Sequence, residues 1–168
     1  MKNILFGLTL FITYLLNPTT KINGQSQTKY NIIYYELGGS GLFNSINYER
    51  QLLKNTRLNF HIGTGMYGIT PTYLTVPLGL KYFFKLPNSI SYIDIGFGAT
   101  YSKADVILYA NVYRRDPNYV NTNYWNYIPS LAYRQITKRN LMYRFSLSPV
   151  INNDGFFPFL GFSFGKSF

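Results

Sequence analysis

The sequence predicts an all-β protein: an eight-stranded antiparallel up-and-down transmembrane β-barrel at residues 27–168, preceded by a cleavable N-terminal signal helix at residues 1–26. Three observations predict it. Aromatic residues make up 19% of the chain and charged residues only 13%, whereas a soluble domain carries about 25% charged residues. Apolar and polar residues alternate with a period of two from residue 29 onward, as in strands with two different faces. Tight polar turns alternate with other connections, one of which is long.

The composition excludes several classes of protein. With 168 residues, 46% of them hydrophobic, and a mean hydropathy of -0.06, the chain can form one domain with a core. The absence of cysteine excludes a disulfide scaffold, a thiol nucleophile, a cysteine-rich zinc site and lipid attachment through cysteine. The many aromatic residues argue against intrinsic disorder.

The N-terminal segment predicts a secretory signal peptide. Met1–Asn3 is a short basic start, and Ile4–Leu16 is mostly apolar but shorter than the ~20 residues of a spanning helix. Asn17 and Pro18 end the helix, and small residues place the cleavage site at about residues 24–26. The alternative is a helix that anchors the chain in a membrane or is buried.

Eight alternating segments follow. The alternation is clearest where the apolar positions are Val76, Leu78, Leu80, Tyr82 and Phe84. The predicted strands lie at about 29–38, 42–53, 57–67, 73–84, 90–101, 124–136, 140–151 and 157–168. A strand of ~11 residues tilted by ~45° spans the hydrocarbon layer, and eight strands can close a barrel. We therefore expect the apolar face to point outward, at positions that include Val76, Leu78, Leu80, Ile93, Ile95 and Phe97.

The connections predict which end of the barrel faces the periplasm. The turns at 54–57, 85–89 and 137–140 are tight and polar, whereas 102–123 is long and rich in Tyr, Asn and Asp. Outer-membrane barrels have short periplasmic turns and longer extracellular loops. An even number of strands places both termini beside the tight turns, which predicts a periplasmic location for this end. The first outer connection, 38–41, is also short.

Three segments carry a resemblance to a known family: Glu36–Gly41, Asn47–Arg50 and Pro77–Tyr82. They resemble small eight-stranded outer-membrane barrels of Bacteroidota, whose architecture is that of the OmpA transmembrane domain. The last strand, with Phe164 and Phe168, resembles the C-terminal signal by which the barrel-assembly machinery recognises such proteins. The resemblance implies the outer membrane of a Gram-negative bacterium and implies nothing about activity.

Charged residues predict a filled interior. The alternation places six of them on the polar, inward face: Glu36, Glu49, Lys81, Asp94, Arg134 and Arg144. Three acids and three bases sum to zero, and a buried charge is costly unless it is paired and hydrogen-bonded. Because side chains fill a barrel of eight strands, we expect an occluded lumen with a charge network rather than an open pore.

The other charges predict a basic periplasmic rim. The formal charge is +10, and removal of Lys2 and Lys21 with the signal peptide leaves +8. The bases without a nearby acid are Lys29, Arg50, Lys54, Arg57, Lys85, Lys138, Arg139 and Lys166. Anionic phospholipid headgroups would bind such a rim; the alternative is a solvated rim that only enforces orientation. Lys166 lies on the lipid face near the membrane edge, where a lysine can extend to the headgroups.

Outward-facing aromatic residues near the strand ends predict two membrane-interface belts. Their members are Tyr101, Trp125 and Tyr127 near the outer end, and Tyr82, Phe84, Tyr133 and Tyr143 near the inner end. A basic, tyrosine-rich chain can also bind single-stranded nucleic acid. The signal peptide, and the lack of RNP-like and helix-turn-helix patterns, argue against a nucleic-acid partner.

Two short motifs match known catalytic or cofactor-binding patterns but lack the required context. Gly63–Gly68 matches G-x-G-x-x-G, but a loop and a strand follow it rather than a helix, so we expect lumen-facing glycines. Gly161–Gly165 matches G-x-S-x-G, but no histidine follows it. His61 lies on the polar face and is expected to be a hydrogen-bond partner in the lumen rather than a metal ligand. We expect no enzyme, no cofactor and no metal site.

The expected role is structural or surface-interactive, with adhesion or ligand contact through loop 102–123. This loop carries side chains suited to adaptable contacts, namely Tyr109, Tyr113, Asn118, Tyr119 and Asn121. The alternatives are a narrow porin-like channel for small solutes, a soluble lipocalin-type carrier and an outer-membrane enzyme that acts on lipid. We expect a monomer in contact with outer-membrane lipid; the sequence identifies no extracellular ligand.

Overall fold

A computed structural model describes residues 31–53, 56–68, 72–87, 90–102, 124–152 and 155–168. The strands are β1 (Asn31–Gly38), β2 (Asn44–Gln51), β3 (Leu58–Tyr67), β4 (Tyr73–Lys85), β5 (Ser91–Ser102), β6 (Trp125–Ile136), β7 (Leu141–Leu147), β8 (Val150–Asn152), β9 (Gly155–Phe157) and β10 (Leu160–Ser167), with a 3-10 turn, η1 (Gly39–Gly41), after β1. The predicted signal segment 1–26 and residues 103–123 of the long loop lie outside the described residues. Within the described ranges, no helix is long and apolar enough to cross a membrane.

The strands form a closed antiparallel barrel. Each of β1 to β6 pairs with the next strand in sequence, and β7 pairs with β10. The ring closes where β10 returns to β1, with Ile32 opposite Ser167 and Gly38 opposite Gly161. β8 extends the position of β7 beside β6, and β9 precedes β10. The ring therefore has eight positions, which confirms the predicted fold class.

Two predicted strands are interrupted by prolines. Residues 140–151 and 157–168 were expected to be continuous strands, but the first breaks at Ser148 and Pro149 and the second at Pro158 and Phe159. A proline has no backbone N–H for the ladder, and the two breaks lie opposite each other. Across them the N–H of Ser148 donates to the carbonyl of Phe159, at 2.7 Å. The prediction of two unbroken strands is wrong for this reason.

The apolar face of the sheet points out of the barrel. On β5, Ile95 and Phe97 are 51% and 59% exposed, whereas Asp94, the residue before Ile95, is fully buried. The six positions predicted to face outward all lie on this exterior side. In a lipocalin-type carrier the apolar side chains would instead line the interior. The observed orientation therefore argues against the soluble alternative.

The first connection turns into the barrel instead of forming an outer loop. η1 contacts β1 through β6 and also β10, so it lies within the ring, at the end of the barrel opposite the chain termini. Gly38 and Gly39 have φ values of 71° and 67°, and Leu42 has a φ of 70°. The second strand was predicted to begin at residue 42 but begins at Asn44, because Leu42 is drawn into the lumen and is only 2% exposed.

Candidate functional site

The interior of the barrel is the candidate site, and its centre is a cluster that we call the charge network. Six different strands each contribute one member: Glu36, Glu49, Lys81, Asp94, Arg134 and Arg144. Each is at most 2% exposed. Each occupies an inward position of its strand because alternate residues point to opposite faces. The structure thus brings all six of the predicted lumen residues together.

Arg134 is the hub of the charge network. Its Nη1 and Nη2 donate to Oε1 and Oε2 of Glu49 at 2.7 and 3.0 Å, a bidentate geometry that is strong and directional. Its Nε also donates to Oδ2 of Asp94, at 3.0 Å. The guanidinium carbon lies 4.1 Å from the ring centroid of Phe83, which covers one face of the cation.

Arg144 extends the network toward β1. Its Nη1 lies 2.9 Å from Oε1 of Glu36 and its Nε lies 3.1 Å from Oδ2 of Asp94. Arg134 and Arg144 are directly opposite each other on paired strands, where like charges destabilise a sheet. Asp94 binds both guanidinium groups and so offsets their repulsion.

Lys81 completes the chain of ion pairs. Its Nζ lies 3.3 Å from Oε2 of Glu49 and donates to the hydroxyl of Tyr34 at 2.7 Å. The order of contacts is therefore Lys81, Glu49, Arg134, Asp94, Arg144 and Glu36. With three acids and three bases the network is neutral, and each charge has at least one partner of opposite sign.

The inward-folded connection forms a second layer, which we call the plug (residues 39–42). The backbone N–H and the hydroxyl of Ser40 donate to Oε2 of Glu36, at 3.1 and 2.6 Å. Thr75 Oγ1 donates to the carbonyl of Gly41 at 3.1 Å, and Thr100 Oγ1 donates to the carbonyl of Ser40. Because the other oxygen of Glu36 binds Arg144, Glu36 joins the plug to the charge network.

An apolar cluster seats the plug. Leu42 packs against Ile128 and Val150, and the partly buried Tyr67, Phe157 and Phe159 surround them. Sequence reasoning missed the plug. The glycines at positions 38, 39 and 41 indicated a tight turn, but no local pattern shows whether such a turn points outward or into the lumen.

A third layer lies toward the chain termini. Ile32, Tyr34 and Met142 are buried together, with Ile136 packed against them. These side chains occupy inward positions that the alternation had assigned to the polar face, so sequence reasoning missed them too. The described lumen is thus filled along its length by an apolar layer, the charge network and the plug.

His61 is buried in the lumen beside Gly79. It is 2% exposed, and a Cβ at Gly79 would lie 2.7 Å from its Cε1 atom, so the glycine leaves room for the ring. Neither ring nitrogen has a hydrogen-bond partner within the described chain. The ring lies beside Gly79 and Gly98, which carry no polar side chain, so the hydrogen-bonding role expected of His61 stays a prediction. No three metal-ligating side chains converge among the residues that the structure describes.

The glycines of the two rejected motifs make room in the lumen. A Cβ at Gly63 would lie 2.2 Å from Oδ1 of Asn47. A Cβ at Gly161 would lie 2.5 Å from Oγ of Ser146 and 3.0 Å from the Cα of Gly39 in the plug. These glycines therefore allow close packing, in agreement with the lumen-facing positions expected for the first motif.

The predicted interface aromatics face outward in two groups at opposite ends of the barrel. Members of the two groups make ring contacts: Tyr101 lies 5.5 Å from Trp125, and Tyr82 lies 4.9 Å from Phe84. Tyr127 contacts Phe97 of the wall at 6.4 Å, and Tyr143 contacts Phe164 at 5.5 Å. The hydroxyl of Tyr133 lies 2.8 Å from Oγ of Ser91. Phe168 is 61% exposed, and its N–H donates to the carbonyl of Asn31 at 2.8 Å, which holds the last residue against the first strand.

Comparison with known proteins supports the architecture. No protein-family model matches the sequence, and no curated protein matches it. The chain is similar to the outer membrane protein Ail of Yersinia pestis, solved in a phospholipid bilayer nanodisc, with 10% identity over 83% of this chain and 99% of that one and a TM-score of 0.55. It is also similar to the N-terminal β-barrel domain of Pseudomonas aeruginosa OprF, with 12% identity over 86% and 100% and a TM-score of 0.57. The fold is that of the eight-stranded barrels. Membership of a Bacteroidota family stays a prediction.

Proposed function

We propose that this protein is an integral β-barrel of a Gram-negative outer membrane, with an occluded lumen and a structural or surface-interaction role rather than a catalytic one. The observation that carries the proposal is the inversion of the usual burial pattern. Paired charges fill the interior and large apolar side chains cover the exterior. Exposed Leu, Ile and Phe side chains on every side would be unfavourable in water but are what a hydrocarbon layer requires.

The placement of charge on the outer wall supports a membrane location. Two charged side chains of the described strands point outward, Arg50 and Lys166. Each lies close to the end of its strand. The middle of the wall carries aliphatic and aromatic side chains such as Leu80 and Phe97. The flanking aromatic groups match the girdles of lipid-facing barrels.

The filled lumen favours a structural or surface role over a channel. A channel needs a continuous wet path, but the apolar layer at Ile32, the charge network and the plug with its apolar cluster occupy successive levels of the described interior. Conduction would require the plug and at least one arginine to leave these positions. We therefore expect reconstitution into a planar bilayer to produce no conductance steps, and regular steps from the wild-type protein would favour the channel.

Membrane fractionation tests the location. The full chain is expressed in a Gram-negative host, and its membranes are washed with alkaline carbonate. The protein is expected to stay in the outer-membrane fraction and to migrate faster on a gel when unheated than when boiled, because a closed barrel resists detergent. Release into the wash together with an unchanged mobility would refute the proposal and restore the soluble carrier.

The surface role is proposed for the long connection 102–123, of which residues 103–123 lie outside the described chain. A variant that lacks residues 104–121 is compared with the full chain on whole cells, with adherence to a surface coated with extracellular-matrix protein as the readout. The boiling shift serves as the control for folding. We expect adherence to be lost in the variant; equal adherence by the two proteins would refute a role for this loop.

A further inference from the structure

One end of the barrel carries a group of cations that we call the basic rim: Arg50, Arg57, Lys85, Lys138, Arg139 and Lys166. Two further predicted members, Lys29 and Lys54, lie outside the described residues. All six described cations lie at the end where β1 begins and β10 stops, on strand ends or on the turns between strands. Five of the side chains are exposed and Arg57 is half-buried. None makes an ion pair within the described part of the chain.

Among the described residues, no acidic side chain lies in the basic rim. Of the six acids in the sequence, three belong to the charge network and are paired in the lumen. The other three, Asp105, Asp116 and Asp154, fall outside the described residues, in connections between strands that end away from the rim. The described lumen therefore sums to zero while the described rim is a set of cations without acids.

Two members of the rim face sideways from the barrel wall rather than along its axis. Arg50 on β2 is opposite Asn31, and Lys166 on β10 is opposite Ile33, so the two flank β1 on its outer face. Lys166 lies two residues beyond Phe164 on the same face, which is about 7 Å along the strand. An aromatic side chain at the interface thus places the neighbouring cation at the depth of the headgroups.

We infer that the basic rim binds the anionic phospholipid headgroups of the leaflet around this end of the barrel; this rests on the proposed membrane location. Arginine forms bidentate hydrogen bonds with phosphate, and lysine attracts it as a point charge. Both side chains can extend along apolar surface to reach it. A macromolecule in the periplasm would meet the turn residues Lys138 and Arg139 first, whereas Arg50 and Lys166 project toward lipid, which favours the headgroup as the partner.

Lipid selectivity in a reconstituted bilayer tests the inference. The full chain is placed in phosphatidylcholine vesicles that contain a trace of spin-labelled phosphatidylglycerol or spin-labelled phosphatidylcholine, and the fraction of lipid immobilised by the protein is measured. Wild type is expected to prefer phosphatidylglycerol several-fold. Each base near an anionic headgroup raises the association constant of that lipid by up to about fivefold. The double variant R50Q/K166Q is therefore expected to lose most of this preference.

The matched control is R50K/K166R, which keeps both charges and should keep the preference. The boiling shift verifies that every variant is folded. An unchanged preference in folded R50Q/K166Q would overturn the inference while leaving the proposed function intact. Charge-dependent binding to isolated peptidoglycan, with no lipid preference, would overturn it as well and assign the rim to a glycan partner. Failure of the wild type to enter vesicles would instead count against the proposed function.

Discussion

Replacement of Arg134 by methionine tests whether the charge network holds the barrel together. The guanidinium contacts two acids: it lies 2.7 Å from Glu49 and 2.9 Å from Asp94. In R134M, Glu49 retains Lys81 and Asp94 retains Arg144, but three acids then face two bases in a network whose members are each at most 2% exposed. Removal of one partner from a buried ion pair costs about 3–5 kcal/mol, so we expect the free energy of unfolding to fall by about that amount.

A compensating substitution separates charge imbalance from loss of packing. In R134M/D94N the remaining pairs are Lys81 with Glu49 and Arg144 with Glu36, and the lumen is neutral again. D94N alone leaves one excess base and is expected to destabilise the barrel. The double variant should therefore be more stable than R134M, with a coupling energy of about 1–3 kcal/mol in a double-mutant cycle.

The assay is urea unfolding of the protein in lipid vesicles. It is followed by the fluorescence of Trp125, the single tryptophan of the sequence, and by the boiling shift on gels. The reasoning would be refuted if R134M unfolded within about 0.5 kcal/mol of wild type, or if D94N and R134M were simply additive. Either result would mean that the lumen admits enough water to solvate Glu49 and Asp94 without the arginine.

Three further variants test the outer wall, the plug and the crowded lumen by the same urea unfolding. Leu80 is 46% exposed in the middle of β4, so L80R should cost about 2–4 kcal/mol if the wall faces lipid, whereas a change within about 0.5 kcal/mol would indicate water. Leu42 is 2% exposed in the cluster that seats the plug, so L42A should cost about 2–4 kcal/mol; a neutral result would mean that the plug is not held in the lumen. A Cβ at Gly79 would lie 2.6 Å from the carbonyl oxygen of Phe97, so G79A should reduce the yield of the gel form that shifts on boiling, and wild-type yield would contradict the close packing of β4 and β5.

The alternation of residues was sufficient to place most side chains on the correct face. Asp94 points inward and Ile95 outward because consecutive residues of a strand point to opposite sides, and this is a local property of the chain. The same rule located all six members of the charge network before their partners were known. It also places Ile32, Tyr34 and Met142 inward, but it did not reveal that they form an apolar layer, because an apolar side chain at an inward position looks like a lapse in the alternation.

Which residues meet inside the barrel was decided only by the tertiary structure. Glu36 and Arg144 are 108 residues apart in sequence, and they meet because the pairing of β10 with both β1 and β7 places them in one row across the sheet. The inward direction of the plug likewise depends on Thr75 and Thr100 from two distant strands. Periodicity shows which face of a strand a residue occupies. Closure of the ring determines which residues of the inward face meet in the lumen. Closure depends on contacts between segments that are too distant in sequence for a local pattern to record.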